Sequence, residues 1–317
     1  MRSLIGAVII LALLAGCAAQ RLEKQHAHGL AAFGNSAPPG TIALNDSLYY
    51  DRSEVANFSW LEYEFWVMSV FGRESEQHRA VLPDTSVWDR SVAYGEPYRS
   101  SYLRHPAYRN YPTVGVTCEQ VLAYSKWRSD RVMEYYLVRA GVIPFRHGQA
   151  TADYFSIEGF YATDSLKAYH HLPYPSYTLP THAEWRVAVA VADSLAHVNL
   201  PRCKKLRTSE FRGASFGECS ELVKKGQFII NSRKGIDQAA GDATTPTYCS
   251  RCEADLIWQL RGNVSELSAD SSLVLGGGWT DPLDSIILDS PLPSHAPDVA
   301  TGFRNACHWR KWDGVRR

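Results

Sequence analysis

Four cysteines in the second half of the chain could form disulfides or bind a metal ion. They all lie between residues 200 and 252, at Cys203, Cys219, Cys249 and Cys252. Two residues separate Cys249 from Cys252, which is the spacing of half a zinc site, but Cys203 and Cys219 do not repeat it. We therefore expect disulfides, which are common in oxidising compartments, with the pairing open. The alternatives are a four-thiolate zinc site and a redox-active pair at Cys249 and Cys252, although no βαβ pattern surrounds that pair.

Cys17 has a different setting, since it closes the run Leu14-Ala15-Gly16-Cys17 behind a short apolar stretch and Arg2. The stretch is shorter than the roughly 20 residues that a membrane-spanning helix needs. This arrangement is typical of a bacterial lipoprotein signal. We expect residues 1–16 to be removed and Cys17 to carry acyl chains such as palmitate, which anchor the protein to a membrane. Ala18 favours the outer membrane, facing the periplasm. The alternative is an ordinary signal peptide.

Composition limits the classes of partner. Lys and Arg together number 33, as do Asp and Glu, so no basic field points to nucleic acid. Residues 17–37 lack apolar periodicity and are expected to form a lipidated tether. The globular domain is predicted over residues 38–317, with the cysteine-containing segment as an insertion at about 200–252.

Two predicted helices position much of this domain. Thr117 with Gln120, and Thr181 with Glu184, have the spacing of capping boxes that open apolar-periodic segments. Short strands are predicted at Leu273 to Leu275 and at Ile286 to Leu288. Because Gly and Pro interrupt the chain frequently, we expect an α+β domain rich in loops.

Five motifs follow one another in a specific order along the chain. They are Tyr49-Tyr50-Asp51-Arg52-Ser53-Glu54-Val55-Ala56-Asn57, Tyr111-Pro112-Thr113-Val114-Gly115-Val116-Thr117, Leu179-Pro180-Thr181-His182-Ala183-Glu184-Trp185, Gly262-Asn263-Val264-Ser265-Glu266, and Gly276-Gly277-Gly278-Trp279 with Gly302-Phe303-Arg304. The pattern resembles the formylglycine-generating enzyme, or sulfatase-modifying factor, family. The resemblance implies a loop-rich variant of the C-type lectin fold. On a lipoprotein, it is most similar to the gliding-motility and type IX secretion lipoproteins, which are scaffolding components.

The resemblance also locates a missing catalytic element. Enzymes of this family hold copper on two cysteines between the glycine-rich strand and the Gly-Phe-Arg motif, and soft thiolates suit Cu(I). The corresponding interval, Trp279 to Thr301, contains no cysteine, and Cys307 beyond it is single. We therefore expect no copper and no catalysis. Cys118 and Cys307 are expected to be buried apolar residues or a mutual disulfide.

A calcium site is a further implication of the resemblance. Its ligands would be the side chains of Gln259 and Glu266 and the backbone carbonyls of Gly262 and Val264, since Ca²⁺ prefers hard oxygen donors. Gln259 departs from the Asp or Asn usual in the family, which lowers the charge of the site. The alternative is a turn held by hydrogen bonds alone.

A segment rich in tyrosine and arginine is the candidate interface. Tyr98, Tyr102, Arg104 and Tyr108 lie within it, and these residue types are enriched where proteins bind one another. We expect other envelope secretion or gliding proteins as partners, within a larger assembly. The functional prediction is a non-catalytic, envelope-anchored scaffold. The alternatives are a repurposed enzyme that uses Asp281, Asp284 and Asp289 around a metal, and a module that binds glycans or peptides.

Overall fold

A computed structural model describes residues 24, 26–91, 95–203, 244, 247, 257–286 and 289–315, with the backbone alone for 195–203 and 283–284. These residues form two compact units. The large unit is formed by the described residues within Ala37–Trp127 and Tyr177–His308, and the small unit by those within Met1–Ser36, Arg128–Ser176 and Trp309–Arg317. Within the described residues, no helix has the length and apolar character that crossing a membrane requires.

The described residues contain both helices and short strands, which confirms the α+β class. The helices are α1 (Asn57–Phe71), α2 (Glu76–Ala80), α3 (Val87–Ser91), α4 (Glu96–Ser101), α5 (Cys118–Arg139), α6 (Ile157–Ala162), α7 (His182–Cys203) and α8 (Leu283–Ile286). The strands are β1 (Thr41–Ala43), β2 (Tyr49–Asp51), β3 (Tyr174–Thr178), β4 (Ser265–Leu267), β5 (Leu273–Leu275), β6 (Leu292–Pro293), β7 (Thr301–Gly302) and β8 (Ala306–Arg310).

The strands form two four-stranded sheets. The first has the order β1-β2-β8-β3, and in it Tyr49 of β2 lies opposite Cys307 of β8 in an antiparallel pair. The second has the order β6-β5-β4-β7, and β4 runs parallel to β7, with Glu266 opposite Gly302. Each sheet therefore pairs strands that lie far apart in the sequence.

Both predicted capping boxes are confirmed at the helix starts. At α5, the Thr117 amide donates to Gln120 Oε1 at 2.9 Å, and the Gln120 amide donates to Thr117 Oγ1 at 3.2 Å. At α7, the Thr181 amide donates to Glu184 Oε2 at 2.8 Å, and the Glu184 amide donates back to Thr181 Oγ1 at 3.2 Å. Each pair satisfies backbone donors that a helix start leaves open.

The predicted strand at Leu273 to Leu275 is β5, but the strand predicted from Ile286 is wrong. Ile286 is the last residue of helix α8 and is 2% exposed. Its apolar side chain is therefore buried while its backbone is helical. A short apolar run does not by itself separate a strand from a buried helix. Residues 287 and 288 lie outside the described part of the chain.

The large unit has an aromatic core. Trp60 of α1 is fully buried, stacks on Tyr124 of α5 with ring centroids 5.5 Å apart, and meets Phe303 edge to face at 5.9 Å. A separate cluster lies along α7, where Trp185, Ala188 and Val189 are buried as their helical spacing predicts. These clusters surround the segments that carry the motifs.

The small unit has its own aromatic packing. Tyr161 of α6 stacks on Trp312 with centroids 4.8 Å apart, and Phe33 packs against Tyr136 at 5.5 Å. The Trp309 indole N–H donates to the Ser36 carbonyl at 3.0 Å, which ties the ends of two of its segments together.

Candidate functional site

Three of the motifs converge on one buried position in the large unit. The Val55 amide donates to the Phe303 carbonyl at 2.9 Å, and the Asp51 amide donates to the Asn305 carbonyl at 2.9 Å. Strand β4, which includes Glu266, pairs with β7 immediately before Phe303. Residues distant in the sequence thus become neighbours through backbone hydrogen bonds.

Arg304 is the centre of this arrangement and is fully buried. Its Nε lies 2.5 Å from Glu266 Oε1, and its Nη2 donates to the carbonyls of Trp258 and Gln259, both at 2.8 Å. Its Nη1 reaches the Asp51 carbonyl at 3.4 Å. The guanidinium group therefore binds one carboxylate and three backbone carbonyls without contacting solvent.

Two further carboxylates are buried near Arg304. Glu54 is 1% exposed and accepts hydrogen bonds from Asn263 Nδ2 at 2.8 Å and from the Val264 amide at 3.3 Å. Asp51 is 3% exposed, and its Oδ2 accepts from the Asn305 amide at 2.9 Å. We refer to Asp51, Glu54, Glu266 and Arg304 as the buried charge cluster.

Burial dominates the electrostatics of this cluster. It raises the pKa of Glu54 well above its ordinary value, against the opposing attraction of Arg304. It also raises the pKa of Glu266 to about 7, although Arg304 again opposes the rise. Burial alone lowers the pKa of Arg304, but the interactions with Glu266, Tyr50 and Glu54 outweigh burial and leave the pKa raised. The charged groups in the cluster therefore depend strongly on one another.

The glycine motif allows the backbone to pack tightly beside this cluster. Gly276 has a φ of 80°, and a Cβ atom there would lie 2.4 Å from the Leu260 carbonyl oxygen. At Gly278, a Cβ atom would lie 2.8 Å from the Ala300 carbonyl oxygen. Because both neighbours are backbone atoms, neither position accommodates a side chain without a shift of the chain.

The predicted calcium ligands all lie in this region. Gln259 is 4% exposed with a φ of 53°, while Val264 and Glu266 are fully buried. Glu266 Oε2 is buried and accepts no hydrogen bond from a described residue. A carboxylate oxygen of this kind suits Ca²⁺, so the donor type fits, although Arg304 already binds the other oxygen. Among the described residues, no three His, Cys, Asp or Glu side chains cluster as metal ligands.

Copper does not fit the interval between Trp279 and Thr301, since the sequence there has no cysteine. The acidic residues of the interval stabilise the local chain instead. Asp281 Oδ2 accepts from the Gly278 amide at 2.7 Å, and Asp289 binds Arg261 at 2.6 Å. The Asp284 side chain is outside the described residues. Cys118 and Cys307 do not form a disulfide with one another.

The candidate interface needs correction at Tyr102. This residue is only 2% exposed, and its hydroxyl donates to the Pro112 carbonyl at 2.8 Å, so it belongs to the core. Tyr98 and Tyr108 are half-buried and pack against the same cluster, with Tyr98 stacked on Trp88 at 4.8 Å. The Arg104 side chain is 56% exposed and binds Glu64. Of the four predicted interface residues, the arginine is the most available to a partner.

Other predicted sites lie outside the described residues. These are Cys17 with the segment 1–16, the thiol of Cys203, and the three cysteines at Cys219, Cys249 and Cys252. Sequence reasoning missed the roles of Asp51, Glu54 and Arg304. All three stand within the quoted motifs, and their charged side chains beside apolar residues were the available signal.

The comparison with protein families agrees with the convergence of these motifs. Residues 11–286 match the model of the sulfatase-modifying factor enzyme 1-like domain. The chain therefore belongs to the formylglycine-generating, sulfatase-modifying factor family. No curated protein matches the chain.

Proposed function

We propose that this protein is an envelope-anchored, non-catalytic lipoprotein that acts as a scaffold in a secretion or gliding-motility apparatus. Within its family it would belong with the gliding-motility and type IX secretion lipoproteins, on the lectin-like variant of the fold. It would be tethered to the outer membrane through Cys17 and would face the periplasm.

The observation that carries this proposal is that the motif segments lack the copper-binding cysteines and bury charged residues. In the copper enzymes of the family, two cysteines lie between the glycine-rich strand and the Gly-Phe-Arg motif, and here the interval has none. Asp51, Glu54, Glu266 and Arg304, which are polar residues of the motifs, are instead buried, and Arg304 binds Glu266. Groups held in this way stabilise a fold but do not reach a substrate.

The first experiment is affinity purification of the full-length protein from its native envelope after crosslinking, with mass spectrometry of the recovered proteins. We expect secretion or gliding components in near-stoichiometric amounts. A protein recovered alone, without partners, would contradict the scaffold.

The lipid anchor has a separate test at Cys17. Metabolic labelling with palmitate should mark the wild-type protein, and C17S should lose the label and leave the membrane fraction. C118S is the matched control, because Cys118 lies at the start of α5, far from the signal in sequence. Equal labelling of C17S and the wild type would exclude this anchor.

We also propose that calcium binds at Glu266, with Gln259 and the carbonyls of Gly262 and Val264. The buried Glu266 Oε2 supports this, because it accepts no hydrogen bond from a described residue. A cation bound only to the folded state raises the melting temperature by mass action. Calcium should therefore raise the melting temperature of the wild type and of E62Q, which changes an exposed glutamate, but not that of E266Q. If neither calcium nor a chelator changes the melting temperature of the wild type, the site is ruled out.

A further inference from the structure

A small cleft in the large unit combines apolar residues with two arginine side chains. Its volume is about 260 Å³, and Leu82, Pro83 and Leu103 supply the apolar part. Arg99 and Arg104 line it as well, and their side chains are 54% and 56% exposed. We call this the arginine cleft.

The lining of the arginine cleft carries two guanidinium groups, each of which is paired with one carboxylate outside the lining. It contains two arginines together with Thr85 and Ser100, but no aspartate or glutamate. A ligand that fits the remaining N–H donors of these guanidinium groups carries oxygen acceptors, as a carboxylate does. Guanidinium groups bind carboxylates especially well, because their planar N–H donors match the two oxygens.

Each arginine is held in place on one side only. Arg99 Nη1 lies 2.7 Å from Asp89 Oδ2, and Arg104 Nη2 lies 2.8 Å and 3.0 Å from the two oxygens of Glu64. A guanidinium has five N–H donors, so each retains donors for a second carboxylate. Side chains already ordered lose less conformational entropy when a partner binds.

The backbone around the cleft is also fixed by hydrogen bonds from side chains. The Trp60 indole N–H donates to the Val81 carbonyl at 3.1 Å, and Gln120 Nε2 donates to the Leu82 carbonyl at 2.9 Å. On the other side, Asn57 Nδ2 donates to the Tyr102 carbonyl at 2.9 Å, and Leu103 is 8% exposed within the core. The cleft is thus a preformed feature of the large unit.

The size of the cleft limits its occupant. Pockets for cofactors and other small molecules typically span about 300–1,000 Å³ and enclose most of the ligand. At about 260 Å³ the arginine cleft is smaller and suits one or two side chains of a longer chain that continues over the surface. Apolar side chains next to guanidinium groups favour a bound segment in which an apolar residue is adjacent to an acidic one.

We propose that the arginine cleft binds an acidic segment of a partner protein. One carboxylate of the segment binds Arg99 and Arg104, and a neighbouring apolar side chain contacts Leu82 and Leu103. This inference rests on the proposed scaffold function for the class of partner. It assigns partner binding to Arg99 and Arg104 and not to the tyrosines of the predicted interface.

The test uses the full-length lipidated protein in its native envelope. A photoreactive p-benzoyl-phenylalanine replaces Glu96, an exposed residue one helical turn before Ser100 on α4. The same group at Ser69, an exposed position on α1, serves as the positional control. Crosslinked peptides are identified by mass spectrometry, and affinity purification without crosslinking is run in parallel.

We expect the probe at residue 96 to capture a partner segment with Asp or Glu within about three residues of the crosslink, the spacing over which neighbouring side chains contact one surface. In the same background, R99A/R104A should lower the yield at least fivefold, whereas R99K/R104K, which keeps the charge, should lower it less. R139A/R146A is the matched control, since it removes two exposed arginines of the small unit. Thermal melting identifies any variant that has unfolded.

The outcomes separate the two proposals. If partners are recovered by purification but the crosslinked segment is not acidic, or R99A/R104A has no more effect than R139A/R146A, the cleft proposal is wrong and the scaffold stands. If no partner is recovered at all, the scaffold fails. Loss of binding to phosphatidylglycerol vesicles by R99A/R104A, with unchanged protein crosslinks, would assign the arginines to lipid and also overturn the cleft proposal.

Discussion

The buried charge cluster and the arginine cleft pair the same kinds of side chain in opposite surroundings. Arg304 and Arg104 each bind a glutamate, but the Arg304 side chain is fully buried, whereas that of Arg104 is 56% exposed. In the buried charge cluster, the attraction between Arg304 and Glu266 offsets the free-energy cost of burying both charges. At the cleft, water still solvates the Arg104 guanidinium, although the Glu64 side chain that it binds is 9% exposed, so Arg104 contributes less to folding than Arg304 and can exchange water for a partner. Burial therefore decides whether an arginine stabilises the protein or serves recognition.

Removal of Arg304 should have the largest effect. R304A leaves the Glu266 and Glu54 carboxylates buried without their cation, and breaking a buried pair in this way typically costs about 3–5 kcal/mol. Urea unfolding of R304A and R104A measures the contrast, with R104A expected to lose less, about 1–3 kcal/mol, because it leaves Glu64, whose side chain is 9% exposed, without its guanidinium partner. A loss at R304A no larger than at R104A would break the comparison.

The glycine beside the cluster should show the next largest effect. In G276A, the new methyl group would meet the Leu260 carbonyl, and its φ of 80° is unfavourable for alanine. The expected loss is about 1–3 kcal/mol for the close contact and about 1–2 kcal/mol for the backbone conformation.

G72A is the matched control, because its φ is 95° but no atom lies within 4 Å of the added Cβ. It should lose only a backbone contribution in the same unfolding measurement, about 1–3 kcal/mol, because its φ of 95° and ψ of 151° suit glycine. Equal losses in G276A and G72A would show that the tight packing at Gly276 has relaxed without cost.

Glu184 lies between the two extremes, since its side chain is 22% exposed and binds His308 at 2.8 Å. Burial raises its pKa, but hydrogen bonds from His308 and Thr181 outweigh burial and lower the pKa to about 2. A depressed pKa gives stability above the ordinary value of 4.5, which is lost as the pH falls toward about 2. The free energy of unfolding of the wild type should exceed that of E184Q by roughly 1 kcal/mol at neutral pH.

That difference between the wild type and E184Q should shrink steadily below pH 4.5. Urea unfolding of both proteins across this range is the measurement, and the subtraction removes the effects of other acidic groups. A difference that stays constant as the solution is acidified would show that the Glu184 charge does not stabilise α7.

The smallest effect is expected at Arg99. Its ion pair with Asp89 is exposed on both sides, and such pairs contribute about 0–1 kcal/mol. R99A should therefore unfold close to the wild-type urea concentration, although it is expected to weaken partner binding. A loss well above 1 kcal/mol would place Arg99 with Arg304 among the residues that the fold requires.

Local features of the fold were predictable from the sequence, because local interactions determine them. Thr117 with Gln120 and Thr181 with Glu184 open helices through hydrogen bonds across three residues, which spacing alone predicts. Ile286 was assigned to the wrong element, since apolar residues in a short run fit a strand or a buried helical turn equally well.

The buried charge cluster could be located by motif but not by contact. Asp51 and Arg304 stand 253 residues apart, and no local pattern indicates that they meet. Tyr102 illustrates the opposite error, because tyrosine suits both interfaces and cores, and only the tertiary structure places its hydroxyl against Pro112. The exposed Arg104 beside it was part of the same predicted interface, and burial alone separates the two residues.

The long sequence distance between Asp51 and Arg304 has a consequence for the order of folding during synthesis. Ribosomes add roughly 5–20 residues per second, so Arg304 is synthesised on the order of 10–50 seconds after Glu54. Until then, the Glu54 carboxylate is more stable in water than in a core. The large unit is therefore expected to complete its folding after translation of Arg304, in a single late step that a truncated nascent chain cannot make.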